Sequence, residues 1–174
     1  MSLENVQEQD EIAAEPSPVA LRAAARQASG AKLNVRSAVA FKFGGSSLLG
    51  ADRMLHAAGL VGAAARTSRV TVVVSAMKGV TDLLLSVAQA LAHGKLVHAR
   101  RKAEAVLDLH LDVLHDLRLD EVDALRVCGE LQLLGRDLLH EIPVHGSVAA
   151  SPEVFDRLAS FGERFCARLF AAAL

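Results

Sequence analysis

The sequence predicts a helix-rich α/β fold that begins with a β-strand, an α-helix and a second, parallel β-strand. Residues 39–43 and 69–74 are short apolar stretches rich in aromatic or β-branched side chains, which is typical of strands. Residues 51–66, between them, carry apolar side chains at helical spacing. Because parallel strands need a crossover of roughly a dozen residues, usually a helix, this order predicts a βαβ unit.

Composition bounds the class of protein. A chain of 174 residues is long enough for one domain with a real core, and a hydrophobic fraction of 52% predicts a globular protein. The 19 basic and 20 acidic side chains nearly cancel, which argues against a nucleic-acid or membrane-surface partner. Six Phe with neither Trp nor Tyr also argue against base stacking.

The cysteines and the N-terminus predict a cytoplasmic location. Cys128 and Cys166 lie far apart without a C-x-x-C pair, and are expected to be buried thiols in a reducing compartment. No apolar run has the length of a bilayer span, and the acidic start of the chain is unlike a signal peptide.

Two regions are predicted along the chain. Residues 1–37 are expected to form a flexible N-terminal extension, since residues 1–18 carry five acidic side chains and two prolines with little periodicity. The Ala-rich residues 19–28 could form a short helix that ends at Gly30. Residues 38–174 are predicted to form the folded domain.

The residues after the second strand are predicted to be helical almost to the end of the chain. Thr81 and Asp82 are expected to cap a helix that His93 and Gly94 close, and Ser151 is expected to cap the last helix. Two long helices are predicted between these, over residues 95–117 and 120–140. The side chains expected to face the core are Met54, Leu55, Ala58 and Val61, then Leu125, Cys128, Leu131, Leu134 and Leu138, and finally Phe155, Leu158, Phe165 and Leu169.

The number of strands is small for this class of fold. A second strand as apolar as residues 69–74 is expected to be covered on both faces, and two strands are too few for such a layer. The sequence therefore predicts a truncated domain, which either a missing segment or a partner chain would complete.

The first strand leads into a candidate phosphate-binding loop. Gly44 and Gly45 let the backbone approach a ligand closely, and the N–H groups of a following helix favour an anion. Lys42 could reach phosphate oxygens from the strand end. The alternative is an ordinary turn, since the two common phosphate-binding fingerprints are absent. The second strand ends in another loop of small residues, from Ser75 to Thr81, which is expected to open beside the first.

Other polar residues give weaker signals. His98, His110 and His115 are expected to lie on the surface rather than to bind a metal. Glu163 falls at the margin of the apolar arc of the last helix and is expected to be half-buried. Its partner is either a ligand or a neighbouring arginine, Arg164 or Arg168.

Three separated stretches resemble the aspartate kinases, a branch of the amino-acid-kinase family. Residues 42–47 (KFGGSS) are similar to the N-terminal signature of that family, and residues 72–82 (VVVSAMKGVTD) to its second strand and loop. Residues 160–165 (SFGERF) resemble a later segment in which a Gly-Glu pair opens toward the substrate. The family usually has a small or polar residue where Lys78 stands. The resemblance implies the start of a three-layer α/β/α domain.

The resemblance also implies an activity, which is phosphoryl transfer from ATP to the side-chain carboxylate of L-aspartate, the first step toward lysine, threonine and methionine. It implies Mg²⁺ as the cofactor. Lys42 would act on the β- and γ-phosphates, and Phe43, Gly44, Gly45 and Ser46 would line the nucleotide site. Ser75 and Thr81 would bind the aspartate carboxylate, and Glu163 would bind its α-ammonium group.

Members of this family are considerably longer, and their second half supplies the adenine pocket and usually regulatory domains. A homo-oligomer or a completing segment is therefore expected, and a fused protein is conceivable. One alternative is a catalytically incomplete chain that acts by association, through the helices between Leu83 and His140, or that is a truncated product. Another is a related kinase with a different acidic substrate.

Overall fold

The protein is described here by a computed structural model that covers residues 37–143 and 151–174. The chain forms β1 (Ala38–Phe43), a 3₁₀ turn (Gly45–Leu48), α1 (Gly50–Ala65) and β2 (Arg69–Val74). Four further helices follow: α2 (Val80–Ala92), α3 (Leu96–Asp116), α4 (Glu121–His140) and α5 (Pro152–Ala173). The predicted helix-rich α/β fold is confirmed. The predicted N-terminal tail and short helix lie outside the described residues.

The two strands pair in parallel, as predicted. Their register places Ala38 opposite Arg69 and Phe43 opposite Val74. The ladder continues into the next loop, because the Ser75 N–H donates to the Phe43 carbonyl over 3.1 Å. The carboxyl ends of both strands therefore stay side by side.

The sheet is covered on one face only within the described residues, so the prediction of two covered faces for β2 is wrong there. Alternate residues of β2 are half-buried and exposed, and Val73 is 52% exposed. The covered face packs on α1 and α5. On that face the Phe43 ring lies 5.5 Å from the Phe170 ring, centroid to centroid.

Side-chain hydrogen bonds cap the N-terminal ends of two helices. The Asp120 carboxylate accepts from the Asp123 N–H over 2.9 Å at the start of α4, and the Ser151 hydroxyl accepts from the Val154 N–H at the start of α5. The start of α2 differs from the prediction. It follows Gly79, whose φ of +88° only glycine adopts easily, so Thr81 lies in the first turn instead of capping it.

The predicted core is confirmed along most helix faces. Leu55, at 42% exposed, and Leu125, at 68% exposed, are the two exceptions among the predicted core residues, and both predictions are wrong. Phe155 and Cys128 are partly buried against the core. The predicted core residues that the structure buries are Met54, Ala58, Val61, Leu131, Leu134, Leu138, Leu158, Phe165 and Leu169.

His110 lies in the core, contrary to the surface position predicted for it. Its side chain is fully buried and stacks on the Phe165 ring, with 4.7 Å between the ring centroids. Its Nδ1 atom lies 2.6 Å from the Val106 carbonyl, one helical turn earlier, and its Nε2 atom has no partner within the described part of the chain. A neutral imidazole that donates from Nδ1 fits this surrounding.

None of the helices in the described ranges combines the length and the apolar character needed to span a bilayer.

Candidate active site

Three segments that are far apart in the sequence meet around Ala76. These are the loop after β1, the loop after β2, and the middle of α5 at Gly162. Ala76 is 5% exposed, and both glycines that face it lie in contact with its backbone or side chain. This convergence defines the candidate site, and it lies at the carboxyl ends of the two strands, where ligands of parallel sheets gather.

The first contact joins the two strand-end loops. The Lys78 N–H donates to the Gly45 carbonyl over 3.1 Å. A Cβ atom on Gly45 would lie 2.5 Å from the Ala76 carbonyl oxygen and 3.0 Å from the Lys78 nitrogen. Both of these are backbone atoms, so a side chain at position 45 has no room. The glycine is therefore required by the close approach of the loops.

The second contact seats α5 on the same loop. A Cβ atom on Gly162 would lie 2.7 Å from the Ala76 Cβ atom and 3.3 Å from a methyl group of Val80. Gly162 lies in the interior of a long helix, where glycine normally costs about 1 kcal/mol relative to alanine. The close packing on Ala76 explains why a glycine stands there.

This packing predicts a specific rescue. Gly162→Ala should lower the free energy of unfolding by about 1–2 kcal/mol, because the new methyl group overlaps that of Ala76. In an Ala76→Gly background the overlap disappears, and Gly162→Ala should then be neutral or stabilising, since alanine favours a helix. Urea unfolding of the wild type, both single variants and the double variant measures this coupling. Additive effects would show that the two residues do not limit each other.

The glycine loop itself is a short 3₁₀ turn. The Ser47 N–H donates to the Gly44 carbonyl over 2.9 Å, and Leu48 is fully buried below the turn. The Arg53 guanidinium, from the first turns of α1, donates to the Ser46 carbonyl over 2.7 Å. The sequence analysis missed Arg53, because a side-chain bond to a backbone carbonyl leaves no motif.

The helix that follows the loop begins within one residue of its predicted start at residue 51, but a 3₁₀ turn precedes it. α1 begins at Gly50, after the 3₁₀ turn, so its free N–H groups are displaced from Gly44 and Gly45. An anion at this loop would therefore contact the backbone of the turn itself rather than the end of α1.

The predicted nucleotide-binding residues differ in exposure. Lys42 is exposed, and strand alternation places its side chain on the opposite sheet face from the Phe43 ring. Phe43 is buried, so its backbone is the part left for a ligand. Gly44 and Ser46 are exposed, and Gly45 is half-buried.

Each predicted aspartate-binding residue is next in the chain to a residue of this junction, namely Ala76, Val80 or Gly162. Ser75 is half-buried directly after β2, and Thr81 is exposed in the first turn of α2. Glu163 follows Gly162 and is exposed, whereas a half-buried position was predicted. No hydrogen bond or ion pair joins Lys42 to these three side chains within residues 37–143 and 151–174. The site is thus brought together by backbone and glycine contacts. Among its polar residues, Lys42, Thr81 and Glu163 are exposed and Ser75 is half-buried.

The neighbouring arginines do not neutralise Glu163. Arg164 lies 3.5 Å from Asp137, and Arg168 lies 3.4 Å from Glu130. The predicted alternative, an ion pair between Glu163 and one of these arginines, is therefore absent from the described residues. The Glu163 carboxylate affects Cys166 through its charge. The pKa of the Cys166 thiol is raised to about 12, mainly by burial and to a smaller extent by this carboxylate.

Metal ligands from the protein are scarce at this site. Across the ranges that the structure describes, no group of three or more His, Cys, Asp or Glu side chains could hold a metal ion.

Comparison with known proteins identifies the family. The sequence model of the amino acid kinase family matches residues 38–174, and the chain belongs to this family. A comparison with curated protein sequences gives no match.

Two solved structures of E. coli aspartokinase III are similar to this chain. The complex with lysine and aspartate, in the T-state, superposes with a TM-score of 0.66 at 28% identity, over 80% of this chain and 29% of the other. The complex with aspartate and ADP, in the R-state, gives a TM-score of 0.54 at 28% identity, over 79% of this chain and 28% of the other. The chain thus spans less than a third of the length of aspartokinase III.

Proposed function

We propose that this chain supplies the phosphate-binding and aspartate-binding loops of an aspartate kinase, which transfers a phosphoryl group from ATP to L-aspartate on the route to lysine, threonine and methionine. The observation that carries the proposal is the junction at Ala76, where all three motifs that resemble aspartate kinases meet. Membership of the amino acid kinase family and likeness to an aspartokinase solved with aspartate and ADP support it.

The glycine loop is assigned to the nucleotide. Gly44, Gly45 and Ser46, with the backbone of Phe43, lie at the end of β1 and line the phosphate chain. Lys42 is exposed beside them, so its ammonium group is free to approach the β- and γ-phosphates as a mobile charge. Arg53 fixes the turn by its bond to the Ser46 carbonyl.

The second loop and α5 are assigned to the amino acid. Ser75 and Thr81 lie at the two ends of the loop that contacts Gly45 and bind the aspartate carboxylate through their hydroxyl groups. Glu163 is exposed and not paired with Arg164 or Arg168, so its carboxylate is available for the α-ammonium group of the substrate.

These assignments suit the reaction. An oxygen of the aspartate side-chain carboxylate attacks the γ-phosphorus, the bond from that phosphorus to the β,γ-bridging oxygen breaks, and ADP leaves. A carboxylate is already a nucleophile and needs no general base, so positioning and charge neutralisation are what the residues must supply. Bound magnesium would add charge neutralisation on the phosphate oxygens.

The experiment that tests this function compares Lys42→Ala with a charge-matched control. Lys95→Ala removes an equal charge beyond the far end of α2, about 20 Å along that helix from the site. Lys42→Ala should weaken ADP binding by about tenfold, the loss of one charge-assisted contact, and should abolish aspartate-dependent ADP release. Calorimetry measures the binding, and a coupled assay measures the release.

Equal ADP binding by the wild type, Lys42→Ala and Lys95→Ala would contradict the assignment of Lys42. ADP binding that depends on Lys42, without aspartate-dependent release, would favour the second candidate function. In that case the chain binds nucleotide but acts by association with another chain. The exposed face of the sheet, on which Val73 is 52% exposed, is the observation that favours this candidate.

A further inference from the structure

An apolar stripe runs along the solvent-facing side of α4. Val122 is 77% exposed, Leu125 is 68% exposed and Leu133 is 52% exposed, at positions that helical spacing places on one face. Gly129 lies between the two leucines. Leu125, Gly129 and Leu133, with Leu107 of α3, border a groove of about 790 Å³ between the two helices. Exposed leucines at helical spacing beside a groove are typical of an interaction surface.

The residue spacing of the stripe is symmetric about Gly129. Leu125 and Leu133 each lie four residues from Gly129, and Val122 and Arg136 each lie seven residues from it. Apart from its chain neighbours and the backbone of its own helix, no atom of residues 37–143 and 151–174 lies within 4 Å of the place where a Cβ atom on Gly129 would stand. A second helix crossing at Gly129 could therefore approach closely, and the leucines on either side would interdigitate with it.

The charges along α4 favour an antiparallel partner with this same stripe. The first turn is acidic, with Glu121 and Asp123, and the last turns carry Arg136 and His140. Neither Glu121 nor Arg136 forms an ion pair within the described residues. Reversing a second copy about Gly129 brings its Arg136 beside Glu121 of the first copy, twice by symmetry. The helix dipoles are antiparallel in that arrangement, which is favourable because the positive end of each helix lies beside the negative end of the other.

We propose that two copies of this chain associate through α4, antiparallel and related by a two-fold axis at Gly129. The main neighbours of α4 within the chain are α3 and α5, whereas those of the sheet are α1 and α5. The interface is thus built from residues other than those of the candidate active site, and it does not depend on the proposed function. A two-fold interface is self-complementary, which is what the stripe provides.

The two-fold axis gives a direct test by disulfide formation. In the full chain carrying Cys128→Ser, Gly129→Cys places a thiol that should meet its own copy, and mild oxidation should yield a covalent dimer. Val97→Cys in the same background is the control, because Val97 is 65% exposed on α3 and does not border the groove. Covalent dimer from Gly129→Cys at no more than the level of Val97→Cys would overturn the proposal.

Sedimentation velocity tests the apolar contacts without oxidation. Leu125→Arg should raise the dissociation constant of the dimer by about 30-fold or more, as expected for a central contact, and Val97→Arg should leave it unchanged. A monomeric wild type, or equal effects of the two substitutions, would overturn the proposal. So would a monomer that loses thermal stability on Leu125→Arg, since that result means that the groove is covered from within the same chain.

A charge exchange tests the orientation. Arg136→Glu should weaken the dimer by placing like charges beside Glu121 of the second copy, and adding Glu121→Arg should restore it. A parallel arrangement predicts no such rescue. Failure of the double variant to dimerise, although it is folded, would therefore overturn the antiparallel arrangement.

Discussion

Gly45→Ala is expected to lower the free energy of unfolding by about 3 kcal/mol, the upper part of the range for overpacking. The added methyl group would lie 2.5 Å from the Ala76 carbonyl oxygen and 3.0 Å from the Lys78 nitrogen. These backbone atoms belong to a loop that α5 also fixes, so the loops must separate and the hydrogen bond from Lys78 to Gly45 is lost. Urea unfolding at neutral pH measures the change.

The adjacent glycine provides a matched control. Gly44 has a φ of −80°, which any residue adopts. Apart from its two chain neighbours, no atom in the described part of the chain lies within 4 Å of the place where its Cβ atom would stand. Gly44→Ala should therefore change the free energy of unfolding by less than about 1 kcal/mol, with a small gain from the stiffer unfolded chain. Similar losses for Gly44→Ala and Gly45→Ala would show that loop flexibility, rather than close packing, sets the requirement for glycine.

The contrast between these glycines marks what the sequence could predict about the site. The order of strand, Gly-Gly loop and helix was predictable, because it depends on local periodicity and on glycine's conformational freedom. Which of the two glycines touches another segment was not predictable. That contact joins Gly45 to a loop about thirty residues later, and no local pattern reports such a meeting.

Helix faces show a similar limit. The 3.6-residue period correctly predicted that Leu131, Leu134 and Leu138 face the core. The same period cannot say how wide the covered arc is, since that width depends on which helices pack alongside. Leu125 was placed in the core for this reason, and it lies instead on the exposed stripe of α4.

The burial of Glu163 and that of His110 both differ from the predictions. Glu163 was expected to be half-buried and is exposed, while His110 was expected at the surface and is fully buried. His110 is buried because the Phe165 ring from α5 covers it, a contact between two helices that are distant in sequence. Polarity alone predicted exposure, and tertiary packing overrode it.

The burial of His110 predicts a dependence of stability on pH. Burial lowers the pKa of this imidazole from 6.5 to about 4, against a smaller opposing effect of its hydrogen bond to the Val106 carbonyl. Well above pH 6.5 the ring is neutral in both the folded and the unfolded chain. As the pH falls below 6.5, His110 becomes protonated in the unfolded chain but stays neutral in the folded chain. The free energy of unfolding therefore declines until the pH approaches 4. The free energy of unfolding falls by about 3 kcal/mol in all over this pH range.

His110→Phe should remove this loss, because phenylalanine keeps an aromatic ring against Phe165 but cannot take up a proton. We expect the free energy of unfolding of the wild type, relative to that of the variant, to fall by about 3 kcal/mol between pH 7 and pH 4. Urea unfolding at a series of pH values gives this difference, and the carboxylates cancel because both proteins carry them. Parallel pH profiles for the two proteins would mean that the folded chain accommodates a protonated His110, and that the unpaired Nε2 atom finds a partner on protonation.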